Sequence, residues 1–183
     1  MQKLLISACL VGEKTNYKGK GNYHPDVEKL KEKYDLVLFC PEMEGGLPTP
    51  REPSEIRGSQ VVRKDGTLVT KQFEQGASKA LALCKYLGIT KAVLKENSPS
   101  CGTHMIHNGY FIDRLVPGMG VTARVLKEHG IEVYSENEID LLINKKPLYN
   151  LFLLVHVGIG TFENEKENCV FRCVVFCLCC SAD

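Results

Sequence analysis

The stretch Lys91–Gly102, "KAVLKENSPSCG", decides how this chain is read. Ala92–Leu94 is a short, continuous apolar run, the pattern of a strand buried on both faces. It runs into a Ser-Pro-Ser-Cys-Gly turn that carries Cys101. The same succession occurs twice before it: Leu4–Ala8 in "LLISACLVG" leads to Cys9, and Leu36–Phe39 in "DLVLFCPEMEGG" leads to Cys40. In an open parallel sheet, ligands bind in the crevice beyond the carboxyl ends of the strands. Three strands that each release a cysteine there would gather three thiols, far apart in sequence, at one sheet edge.

The segments around these strands fit such a sheet. His24–Tyr34 has helical spacing of Val27 and Leu30, with Pro25 and Asp26 suited to a helix start. "VVRKDGTLVT" reads as a small hairpin turning at Asp65-Gly66. Thr70 is placed to cap a helix over Lys71–Leu87, with Phe73, Ala77, Ala80, Leu81 and Cys84 on one face and Gly88 as its stop. "GYFIDRLVPGMG" reads as loop, Val121–Glu128 as a helix, "IEVYSE" as a fourth strand and Glu138–Ile143 as a last short helix. Alternating strands and helices with short connections predict an α/β, Rossmann-like three-layer domain with a mainly parallel sheet.

Length and charge narrow the function. A chain of 183 residues is long enough to bury a real core as one domain. The formal charge of +1 leaves no strong electrostatic footprint for nucleic acid or an anionic membrane. The opening "MQKLLISACLVGEKTN" is too short and polar in its apolar part for a secretory h-region, so a cytoplasmic, reducing location is expected. There, nine cysteines point to metal, catalysis or burial rather than disulfides. From Pro147 the character changes. "LYNLFLLVHVGIG" and "CVFRCVVFCLCC" are apolar, fall short of the roughly 20 residues of a membrane span, and hold five of the nine cysteines without clean ligand spacing. Two parts follow: residues 1–146 as an α/β domain, and residues 147–183 as a Cys-rich C-terminal extension to which the sequence assigns no role.

Three thiols at one sheet edge form a soft metal site, either a zinc with an open position or an iron–sulfur cluster with one uncoordinated iron. Each cysteine taken singly is as well explained as a small buried hydrophobe, and Cys84, between Ala80 and Leu87 on a helix face, is core. Glu42, two residues beyond Cys40, is a candidate general acid or base. Arg51 or Arg57 could instead pair it and make it structural, and Glu44 is a less favoured substitute. Ser98 and Ser100 flank a proline and have local turn reasons to be there. His104 and His107 follow Cys101 closely and are candidate zinc ligands. "GMGVTA" is a Gly-rich approach to a helix that could offer amides to an anion.

Taken together, "SACLVG", "CPEMEGGLPTPREP", "VLKENSPSCG" and "GMGVTA" resemble the 2-thiouracil desulfurase family, in order from about Leu4 to Glu136. The resemblance implies a Rossmann-type domain with a 4Fe–4S cluster held by only three cysteines, here Cys9, Cys40 and Cys101, with one iron open and the cluster prone to loss in air. It implies a catalytic acid/base at Glu42 and a catalytic serine at Ser98. The expected activity is an iron–sulfur-dependent, non-redox conversion of 2-thiouracil or a related thiolated pyrimidine to the oxo compound with release of sulfide. The expected partner is a small thiolated nucleobase or nucleoside. In that chemistry the open iron polarises the thiocarbonyl, Glu42 activates water, and Ser98 orients the substrate or relays a proton. Many relatives carry Cys-Arg before the tyrosine of the loop after the first motif, whereas Thr15 and Asn16 precede Tyr17 here. Nothing after Lys146 matches the family. The competing reading is a structural zinc module without enzyme activity, built from the three cysteines and a histidine such as His104, although zinc modules usually pair their ligands locally as Cys-x-x-Cys.

Overall fold

A computed structural model of the protein describes residues 1–144. The predicted extension over 147–183 lies outside the described residues. The centre is a four-stranded sheet in the order β2 (Tyr34–Phe39), β1 (Gln2–Ser7), β5 (Lys91–Leu94) and β8 (Glu132–Ser135). Every pairing in it is parallel: Leu4 lies opposite Leu36, Leu5 opposite Ala92, and Val93 opposite Tyr134.

Alternation along the two central strands builds the layers. Leu5, Ala92 and Leu94 face one way and pack with Ala80, Cys84, Ala123 and Leu126 of α3 (Thr70–Leu87) and α4 (Val121–Glu128). Leu4, Ile6 and Val93 face the other way and pack with Val27 and Leu30 of α1 (Val27–Lys31) and with Ile139 and Leu142 of α5 (Ile139–Ile143). Sheet apolar on both faces, with helices over each, is the three-layer α/β domain expected from the sequence.

Several local expectations change. The helix expected over His24–Tyr34 is confined to Val27–Lys31, and Tyr34 instead opens β2. Thr70 does not cap α3; its hydroxyl accepts a hydrogen bond from the Val61 amide at 3.0 Å. The turn at Asp65-Gly66 is present, but the strand returning from it shrinks to the single bridge Val62–Leu68. The true hairpin pairs β3 (Ser54–Arg57) with β4 (Gln60–Arg63). The segment read as loop contributes to a further antiparallel pair, β6 (Met105–His107) with β7 (Leu115–Pro117). No helix among the described residues is long and apolar enough to cross a membrane.

Two glycines show how tightly the loops beyond the sheet edge are set. Gly76 sits in the middle of α3, where glycine costs about 1 kcal/mol relative to alanine. A Cβ there would lie 2.0 Å from the Pro41 carbonyl oxygen. Gly76 therefore lets the short helix α2 (Pro41–Glu44), which follows Cys40, press directly onto α3. At Gly120 a Cβ would lie 2.4 Å from the Ser100 carbonyl carbon and 2.7 Å from the Cys101 nitrogen.

Candidate active site

The three strand-end cysteines come from adjacent strands. Cys9 lies in a 3-10 turn (Ala8–Val11) directly after β1, Cys40 lies between β2 and α2, and Cys101 lies in the turn after β5. All three line one cavity of about 420 Å³, together with Glu42 and Ser98. That is within the usual range of small-molecule sites. Cys84 lies elsewhere, fully buried on the core-facing side of α3.

The cavity makes Cys9 and Cys101 hard to ionise without a cation. Burial pushes Cys9 up to about 11, opposed by a hydrogen bond with Asn22 and reinforced by the nearby Cys40. Burial also raises Cys101 strongly, opposed by the Ser7 hydroxyl and reinforced by Cys40, Cys9 and Glu42. Ser7, which is 2% exposed, donates to the Cys101 sulfur at 3.5 Å and accepts from the Lys95 amide at 3.0 Å. Cys40 meets the Thr15 carbonyl at 3.8 Å. Cys9 and Cys101 are thus each raised further by neighbouring thiols, and a positively charged metal group is what would let these buried sulfurs be thiolates together.

The donor set, three soft thiols released from three separate strands into one cavity, fits an iron–sulfur cluster. A zinc draws its sulfurs to about 2.3 Å from a single point. A cluster takes each thiolate on a different iron, so its three donors can stand further apart. His104 is not in the cavity wall: its ring nitrogens face Glu96 at 3.5 Å and Glu138 at 3.7 Å. His107 does line the cavity.

Glu42 is paired by Arg51 and not by Arg57. Arg51 Nε and Nη2 both reach Glu42 Oε2, at 2.9 and 2.8 Å, and the Arg51 side chain is only 4% exposed. The guanidinium also holds the Thr15 carbonyl at 3.3 and 3.2 Å and the Thr49 hydroxyl at 2.9 Å. Oε1 of Glu42 accepts no hydrogen bond among the described residues. Pairing has therefore fixed the carboxylate by one oxygen and left the other available. Arg57 instead donates to the Gly109 carbonyl. Glu44, exposed, faces Lys79 and is not in the cavity wall.

Ser98 is built into the turn that presents Cys101. Its Oγ accepts from the Ser100 and Cys101 amides, both at 3.1 Å, so its own proton is free to be donated. The amides at the start of α4 are also taken by this turn: Val121 by the Pro99 carbonyl, Thr122 and Ala123 by that of Ser100. "GMGVTA" therefore does not offer amides to an anion; it buttresses the Cys101 turn, and the fully buried Ser100 and Thr122 hydroxyls bond at 2.9 Å in support.

Glu96, 7% exposed, also lines the cavity and is engaged as a structural anion. Burial alone would raise it, but the Thr103 hydroxyl and the Met105, His104 and Thr103 amides outweigh that and hold it at about 2. Because its folded value lies below the ordinary 4.5, its stabilisation is complete above about pH 4.5 and is lost as pH falls towards 2. At one unit per 1.36 kcal/mol, that is about 3 kcal/mol. Glu96→Gln is expected to lower stability by that order at neutral pH and to flatten the acid limb, as read by urea unfolding from pH 7 to pH 3. Equal stability of the two proteins at pH 7 would contradict the assignment.

Sequence reasoning passed over Ser7, Asn22 and Glu55 in this cavity wall. The departures at Thr15 and Asn16 also line it. Asn16 Oδ1 closes its own loop by accepting from the Lys18 and Lys20 amides, and its Nδ2 donates to Asn22.

Residues 4–138 match the model of a family described as 2-thiouracil desulfurase. An uncharacterised protein of Bacillus subtilis (strain 168), YbbK, is 40% identical over 147 residues, covering 75% of this chain and 97% of the relative. Among solved structures, a 4Fe–4S-dependent thiouracil desulfidase, TudS, superposes with a TM-score of 0.74 at 42% identity, covering 78% of this chain and 95% of that one.

Proposed function

The chain belongs to the 2-thiouracil desulfurase family, and from that premise we propose that it is a 4Fe–4S-dependent, non-redox desulfurase acting on 2-thiouracil or a related thiolated pyrimidine. The observation that carries this reading is the meeting of Cys9, Cys40 and Cys101 with Glu42 and Ser98 in one cavity. The three cysteines would hold the cluster. When bound, it supplies an iron free of protein ligands, a Lewis acid for the thiocarbonyl sulfur.

The chain's own groups supply the rest. Arg51 holds Glu42 by Oε2, so Oε1 is the atom placed to take a proton from water as its oxygen bonds to the thiocarbonyl carbon. Ser98, its oxygen pinned by two amides, donates its hydroxyl proton towards the substrate and fixes the ring's orientation. The carbon–sulfur double bond is replaced by carbon–oxygen, and the two protons of water end on the departing sulfide. No electron is transferred, so no reductant is required.

A structural zinc module is the poorer reading, since the chain matches an enzyme family over nearly all its described length. The test is an anaerobic assay of reconstituted protein with 2-thiouracil and no reductant, following sulfide and uracil together. Equal amounts of the two products are expected. No conversion, or conversion only with an added electron donor, would overturn the proposal.

A further inference from the structure

We propose that Phe111 is a specificity-determining residue, the aromatic wall on which the substrate's pyrimidine ring stacks, and that Glu55 positions it. The proposal rests on the thiolated-pyrimidine reading above and names the group that recognises the ring. Phe111 lines the same cavity as the thiols and is half-buried there. Its backbone is held at φ +56°, in the left-handed region that a bulky L-residue rarely adopts. Such a conformation persists only where surroundings over-determine it, and it clusters at functional sites.

The surroundings are specific. Glu55 and Arg57 are two apart on β3 and so project to the same face. Glu55, 7% exposed, accepts at Oε2 from the Gly109 amide at 2.8 Å and from the Phe111 amide at 3.0 Å. Arg57 donates through Nε and Nη2 to the Gly109 carbonyl at 3.0 and 2.8 Å and lies 5.5 Å from the centre of the Tyr110 ring. Gly109, at φ +88°, lies so close to β3 that a Cβ would come within 2.6 Å of the Ile56 carbonyl oxygen. A buried carboxylate and a guanidinium thus clamp a short strap onto β3 and force one aromatic residue into a strained backbone at the cavity wall. Packing alone gives no reason for this, since the next residue, Ile112, is left 63% exposed. A planar, weakly polar heterocycle is the ligand that an aromatic wall favours, because every such ring offers a π-face.

The experiment is anaerobic equilibrium dialysis of uracil, 2-thiouracil and the non-aromatic thiourea against reconstituted full-length protein, with iron content and Tm measured on each sample. Phe111→Gly removes the ring and suits the positive φ, so Tm and iron should hold. Affinity for both pyrimidines should fall roughly five- to a hundredfold, the scale of one base–aromatic stack, while thiourea binding stays the same. Phe111→Tyr should restore the wild-type value and Phe111→Leu should not. Glu55→Gln should weaken pyrimidine binding in the wild-type background but add little to Phe111→Gly, the mark of a residue that acts through the ring. Pyrimidine binding unchanged in Phe111→Gly, an equal loss for thiourea, or no pyrimidine binding by the wild type would each overturn the proposal. Sulfide release by the wild type reports separately on the desulfurase reading, because dialysis tests Phe111 whether or not turnover occurs.

Discussion

Serine in place of Cys9, Cys40 or Cys101 is expected to strip most of the iron from anaerobically reconstituted protein, each change acting alone. Serine is nearly isosteric, but its hydroxyl is a poor ligand for iron in a cubane that thiolates hold. The three positions are equivalent in kind. Each follows one of three neighbouring strands, each lines the same cavity, and Cys9 and Cys101 are both raised by burial and by their companions. Cys84→Ser is the control. Its thiol is also raised to about 11, but by burial alone, and it packs among Ala80, Ala92 and Leu126. That variant should lose stability, on the scale of a polar group placed in a core, and keep its iron. Iron retained equally by all four variants would show the ligand assignment to be wrong.

Glu42→Gln should leave iron content and pyrimidine binding intact while lowering desulfurisation on the order of a hundredfold or more, the usual scale of general acid–base assistance. The substitution keeps size and can still accept from Arg51, so the Arg51 contacts to Thr15 and Thr49 that hold the loop together persist. What it removes is the oxygen that can take a proton from water. Separate measurement of KM and kcat distinguishes the outcomes: a fall confined to kcat is expected. Full activity in the glutamine variant would exclude the acid/base role. Glu96 could not then substitute without giving up the four hydrogen bonds that hold it as an anion.

The parallel sheet and the cysteine cluster were legible because both follow from local patterns. Short apolar runs mark doubly buried strands, and the strand-end rule then places Cys9, Cys40 and Cys101 without any long-range information. The strap that carries Phe111 was not legible. Its flanking strands, Met105–His107 and Leu115–Pro117, are too short to show an alternation, and the residues that clamp it come from β3, whose own pairing was missed. Ser7 was hidden for a related reason. Its partners, Lys95 and Cys101, are distant in sequence and meet it only because β1 and β5 are neighbours. The balance between structural and catalytic readings of Glu42 could not be struck from spacing, since it depends on which oxygen Arg51 takes. "GMGVTA" misled because a Gly-rich start to a helix signals close approach of some group, and here that group is the chain's own Cys101 turn rather than an anion.

The most direct test of the central claim, that three cysteines hold a cluster with one iron open to substrate, is Mössbauer spectroscopy of protein reconstituted with ⁵⁷Fe, before and after addition of 2-thiouracil. About four irons per chain are expected, three of them in cysteine-ligated sites indifferent to the addition and one whose signal shifts when the pyrimidine is present. A spectrum in which all four irons are alike and unmoved by 2-thiouracil, or protein that takes up no cluster iron at all, would contradict it.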